Sequence, residues 1–147
     1  MDYIHPRLFQ IAPKELLLQA LKAPFESEDV KVSLDSLAIV EVSAAFAHQG
    51  TTYRKVTYSM AMDMRFTDEE ALQDDSFINL VLQGLRGEFP QSTVSYQTEK
   101  KNFHISGRDM LIAIKDADKP WMFIGVEKEG DMMEKLFAEP VRKKFGF

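Results

Sequence analysis

Three histidines, one aspartate inside a strand pattern, a run of alternating methionines and a lone tryptophan are the residues that could do chemistry. His5, His48 and His104 show no H-x-H or H-x-x-x-H spacing, so no metal-binding element is visible. Their settings predict solvent exposure rather than ligation. His5 precedes Pro6 in an extended lead-in segment, His48 ends a strand, and His104 falls on the parity opposite Phe103 and Ile105. Asp63 lies between Met62 and Met64. If its face lined a cavity, Asp63 could act as a general base with His104 or Tyr53 as partner. The same face carries Lys55 and Arg65, so solvation or cross-strand pairing is the simpler expectation.

Met60, Met62 and Met64 would place three thioethers on one face of a strand, a geometry that suits Cu(I). Tyr58 and Phe66 continue the same stripe, however, and methionine commonly fills gaps in cores. Packing is therefore the expected role, with no metal site and no cofactor. Trp121 could line a ligand groove or anchor the C-terminal helix. Together with Tyr58, Met60, Met62 and Phe103 it makes up the expected lining of an apolar ligand pocket. No G-x-G-x-x-G, P-loop, G-x-S-x-G or H-E-x-x-H motif occurs.

Composition narrows the classes of function. Hydrophobic residues make up 45% and charged residues 28% of 147 positions, an ordinary globular balance. The net charge of −5, with dispersed basic residues, gives no electrostatic reason to expect nucleic acid. The absence of cysteine excludes disulfides and thiolate catalysis. Apolar runs fall far short of the roughly 20 residues that span a bilayer. Asp2, His5 and Pro6 interrupt the N-terminus, so no signal peptide is visible. A cytoplasmic location is the default, and a secreted or periplasmic one follows if a leader has been removed.

The elements that must position these residues are legible in outline. Pro13 to Phe25 reads as a helix with Leu17, Leu18 and Leu21 on one stripe, closed by Pro24. Ahead of it, Tyr3, Ile4, Leu8, Phe9 and Ile11 are apolar enough to pack on the domain. Val30 to Leu34 alternates as a strand, Asp35-Ser36 marks a break, and a second strand runs from Leu37 to His48. That strand mixes parities, which predicts either two covered faces or a bulge. Gln49-Gly50 turns the chain into a long strand from Thr51 to Phe66, with Val56, Tyr58, Met60, Met62, Met64 and Phe66 on its buried face.

Thr67 with Glu70 forms a capping-box pattern for a helix towards Phe89, with a second start available at Asp74-Asp75 and a stop at Pro90. Three short strands follow, with turns at Glu99–Asn102 and Ser106–Asp109, and a last strand covers Trp121 to Val126. Gly130-Asp131 opens a C-terminal helix, which Pro140 restarts. The expected fold is a single α+β domain over residues 1–147. It has a mostly antiparallel, long-stranded, curved sheet with about three helices packed on it.

HPRLFQIAPKELL at 5–17, YRKVTYSMAMDMRF at 53–66 and KPWMFIGVEKEGDMMEKLFAEPVRKKF at 119–145 resemble a group of uncharacterised bacterial proteins with cystatin-like or nuclear-transport-factor-2-like folds. The resemblance implies a sheet covered by helices and carries no catalytic signature. The chain departs from the second fold in lacking a long N-terminal helical region and in inserting a helix at 68–89. The function expected is a non-enzymatic binding or protein-interaction domain, with a small apolar ligand or a protein, including a second copy, as partner. The alternative is a cone-fold enzyme of dehydratase or isomerase type with Asp63 and His104 as acid–base pair.

Overall fold

In the computed structural model, which describes residues 3–23, 26–126 and 131–147, the chain is α+β. Among the described residues six strands form one open antiparallel sheet: β1 (Val30–Val42), β2 (Phe46–His48), β3 (Thr51–Phe66), β4 (Ser92–Gln97), β5 (Asn102–Asp116) and β6 (Met122–Gly125). The sheet order is β1-β3-β5-β4, with β2 also pairing β3 and β6 also pairing β5. Among the described residues the α-helices are α1 (Lys14–Lys22), α2 (Asp75–Glu88), α3 (Met132–Leu136) and α4 (Glu139–Phe145). The strands thread two compact units, one of Met1–Leu17, Ile39–Thr57 and Met110–Phe147, the other of Leu18–Ala38 and Tyr58–Asp109.

The first unit is organised by a tight hairpin. Gln49 and Gly50 have φ of 50° and 77°, the two left-handed positions of a turn whose twist matches its strands, and His48 pairs with Thr51. Behind it lies the core of Tyr53, Ile112, Ile114, Ile124, Val141 and Phe145, with Phe137 edge-on to Tyr53. Fully buried Ile112, Ile114 and Val141 each contribute about 1.5–3 kcal/mol by leaving water. Pro140 opens α4, and Gly146 closes it at φ 81°, where a glycine is favoured.

The second unit packs α2 against β4. Phe103 has no exposed surface and lies between Phe66 and Tyr96, while Phe77 of α2 meets Phe66 edge-on at 5.2 Å. On β5 the buried large side chains are Phe103 and Ile105 here, but Ile112 and Ile114 in the first unit, so the buried parity changes along the strand. β3 keeps no single buried parity either. Val56 is buried, but Tyr58, Met60, Met62, Met64 and Phe66 are only half-buried, and Tyr53 and Ala61 of the other parity are buried. The expectation of a single buried face along β3 is thus corrected: both parities contribute buried residues, and most of the expected stripe is half-buried.

Several boundaries differ from the sequence reading. Asp35-Ser36 is no break: β1 runs through it, because β3 lies alongside. The strand expected to continue to His48 stops at Val42 and resumes only at β2. Ser106–Asp109 is no turn either, since Ser92 pairs with Gly107 and β5 continues for 15 residues. A Cβ on Gly107 would lie 2.5 Å from Ser92 Oγ, so the glycine permits a close approach rather than a reversal. Thr67 does not cap a helix. Its hydroxyl donates to the Glu28 and Asp29 carbonyls, a short 3-10 turn follows at Ala71–Gln73, and α2 starts from the Asp74 cap. Leu21, Pro24, Phe25 and Gly130, invoked above for helix ends and stripe, lie outside the described side chains. Among the described residues no helix is long and apolar enough to cross a membrane.

β1 departs furthest from expectation. From Ser33 onward all of its residues are exposed. Leu34, Leu37, Ile39, Val40 and Val42 are 45–70% exposed, and only Val30 and Val32 are half-buried. At its two ends the backbone orientation is fixed: Thr67 N–H donates to the Asp29 carbonyl and Ser43 N–H to that of Lys55. Between those two bonds β1 has more residues than β3, so the excess is taken up in bulges.

Candidate functional site

Asp63 and His104 come together in the second unit. They project from the adjacent strands β3 and β5, and His104 Nδ1 lies 2.7 Å from Asp63 Oδ1. Their side chains are 21% and 24% exposed, so the pair is neither enclosed nor fully solvated. A carboxylate accepting from Nδ1–H fixes the tautomer and leaves Nε2 as the basic nitrogen. The arrangement can therefore hold and pass a proton at Nε2. It is equally a cross-strand ion pair whenever the imidazole is protonated. His104 is part-buried and bonded to Asp63 rather than simply exposed.

The expected pocket residues are distributed. Tyr58, Met60, Met62 and Phe103 belong to the second unit, and half-buried Trp121 belongs to the first. Phe103 is enclosed by other rings and presents no surface to a ligand. The phenol of Tyr58 is raised above its ordinary range by burial and by the charge of Asp109, to which it is hydrogen-bonded. No group of three or more potential metal ligands occurs among the described residues.

A second polar cluster, in the first unit, escaped the sequence reading. His5 is 4% exposed, which corrects the expectation of a solvated lead-in histidine. Its Nε2 lies 3.2 Å from Asp116 Oδ2, and its Nδ1 accepts from Arg7 N–H at 3.2 Å. Thr51, also buried, donates its hydroxyl to Asp116 Oδ1 at 2.7 Å. Arg7 donates to the Tyr53 hydroxyl at 3.1 Å and sits 3.9 Å from Asp116. Backbone bonds of His5 and Tyr3 with Phe123 complete the attachment. Burial lowers the His5 pKa against the opposing pull of Asp116, and the Thr51 hydroxyl leads the interactions that lower that of Asp116. Both ring nitrogens of His5 are committed to holding the N-terminal segment, so the cluster is a latch. His5-Pro6 does carry a local signal, a capping residue followed by proline at the start of a 3-10 turn. The partner 111 residues away has none.

Five exposed apolar side chains, Leu34, Leu37, Ile39, Val40 and Val42, lie on β1. As the end strand of the sheet path, it pairs only with β3 among the described residues. Odd-numbered Asp29 and Ser43 direct backbone groups to β3, so at both ends the even-numbered residues direct theirs to the open edge. No protein-family model matches the chain, and no match to it was found among curated proteins or solved structures.

Proposed function

We propose that this chain is a protein-interaction domain that binds by taking up an extended strand along the open edge of β1. The observation that carries the reading is the exposure of Leu34, Leu37, Ile39, Val40 and Val42 on a 13-residue edge strand. Edge strands are ordinarily short, twisted away or charged, because their free N–H and C=O groups template pairing with other chains. Here only three of the 13 residues, Lys31, Asp35 and Glu41, are charged, two more, Ser33 and Ser36, are polar, and the rest are apolar. Strand addition would satisfy the backbone groups and cover both apolar faces through alternating side chains.

The test is an amide NMR titration with synthetic nine-residue peptides of alternating apolar and polar residues. Shifts confined to β1 amides, abolished when alternate peptide nitrogens are methylated, are the expected result. Shifts elsewhere, or none with any peptide, would refute strand addition.

The 2.7 Å contact of Asp63 with His104 favours one second reading, an acid–base enzyme of dehydratase or isomerase type. It predicts α-proton exchange into D2O with some member of a panel of carbonyl compounds, lost in His104→Ala. Exchange unaffected by that substitution removes the pair from any chemistry.

A further inference from the structure

We infer that the strand taken up at the β1 edge is β1 of a second copy, paired antiparallel about a twofold axis at Ser36, with Lys31 opposite Glu41 of that copy. The inference rests on the strand-addition reading above and names its partner. The residues from Val30 to Val42 are V-K-V-S-L-D-S-L-A-I-V-E-V, and the two ends of this segment, V-K-V and V-E-V, are complementary when one copy is reversed. A twofold at Ser36 sets Val30 against Val42 and Val32 against Val40 at the two ends of the strand, whereas the middle, where Ser33 would face Ile39 and Asp35 would face Leu37, adds nothing to the match. It sets Lys31 against Glu41 twice, once on each side of the axis.

Opposite charges directly across an antiparallel pair are favourable, and like charges are unfavourable. Backbone orientation agrees with this register. Val30 and Val42 direct their N–H and C=O groups to the open edge, as argued from the Asp29 and Ser43 bonds. They would exchange hydrogen bonds with each other, and Val32 and Val40 would do the same. Lys31 and Glu41 then form the non-hydrogen-bonded pair, the type in which side chains approach more closely. Both are exposed and accessible to a second copy. A closed twofold contact of this kind also covers the edge and so stops further addition. Moving the axis towards the C-terminus by two residues would set Asp35 against Glu41, two like charges. Moving it to Ser33 would set Lys31 against Asp35 but overlap only about half of the strand.

The test uses two charge variants of the full chain, Lys31→Glu and Glu41→Lys, in sedimentation velocity at low ionic strength. Each alone places like charges in both symmetric positions, and each should weaken self-association roughly 10-fold from wild type. Mixed one to one, they restore both ion pairs in a mixed dimer and should associate about as tightly as wild type. Because both substitutions are exposed and the mixture contains the same folded chains, loss of fold cannot imitate recovery. Variants that self-associate like wild type, or a mixture no tighter than its components, would overturn the register and the partner. A wild type that stays monomeric also overturns self-pairing. Peptide uptake at β1 would in that case leave the strand-addition reading standing, whereas its absence would remove both.

Discussion

Replacing Asp116 by alanine removes the acceptor that the N-terminal latch converges on. Thr51 Oγ1 at 2.7 Å and His5 Nε2 at 3.2 Å both lose their partner, and Thr51 and His5 are 7% and 4% exposed, so water cannot readily substitute. A buried donor left unsatisfied costs about 1–3 kcal/mol, so the pair together costs about 2–6 kcal/mol. Arg7, at 3.9 Å and one-third exposed, adds little. At roughly 2–4 °C per kcal/mol for a chain of this size, the melting temperature should fall by roughly 10 °C. Urea unfolding followed by Trp121 fluorescence is a suitable assay, because the tryptophan lies in the same unit as the latch. The midpoint should drop with the slope unchanged. Asp116→Asn, which keeps an oxygen for Thr51, should cost distinctly less. An alanine variant within about 0.5 kcal/mol of wild type would refute the latch.

Three further outcomes follow from particular contacts. The folded pKa of His5 lies below its ordinary 6.5, so the unfolded chain binds its proton first. Stability is therefore full above 6.5 and falls as pH drops below it, while Asp116, lowered from 3.8, causes a second loss as pH falls below that value. Unfolding curves between pH 8 and 3 check this, and His5→Gln should remove the upper step and weaken the lower one, because His5 is among the groups that lower Asp116. Gly107→Ala brings a Cβ to 2.5 Å from Ser92 Oγ and 3.1 Å from Ser92 Cα, and should cost about 1–3 kcal/mol in urea unfolding. Adding Ser92→Gly should recover part of that loss. Asp74→Ala removes the cap whose carboxylate accepts from Ser76 N–H at 2.8 Å, and should cost about 1 kcal/mol, read as faster hydrogen exchange in the first turn of α2.

What the sequence made legible was what local pattern determines. The span of β3 follows from its alternation and from Gln49-Gly50, and the restart of the C-terminal helix follows from Pro140. The pairing of Asp63 with His104 could be named as a condition from parity alone, though not placed. The misread features depend on neighbours. Asp35-Ser36 and Ser106–Asp109 have turn chemistry, yet β3 and β4 hold those stretches extended. His5 is held by the Asp116 carboxylate and by the backbone of Phe123, both distant in sequence. Alternation in β1 argued for a covered face because burial is the usual reason for alternation. Here the same pattern suits a surface that another strand would cover.

Amide hydrogen exchange along β1, read residue by residue at low and at high protein concentration, tests the central claim most directly. The account predicts that Val30, Val32, Val40 and Val42 exchange fast in dilute solution and become protected as concentration rises. The amide of Ser43, bonded to Lys55, should stay protected throughout. Protection of the four valines at every concentration would mean that the edge is already covered within the chain. Fast exchange at every concentration would mean that no second copy pairs there. Either result would contradict self-pairing along β1, and the first would contradict an open edge altogether.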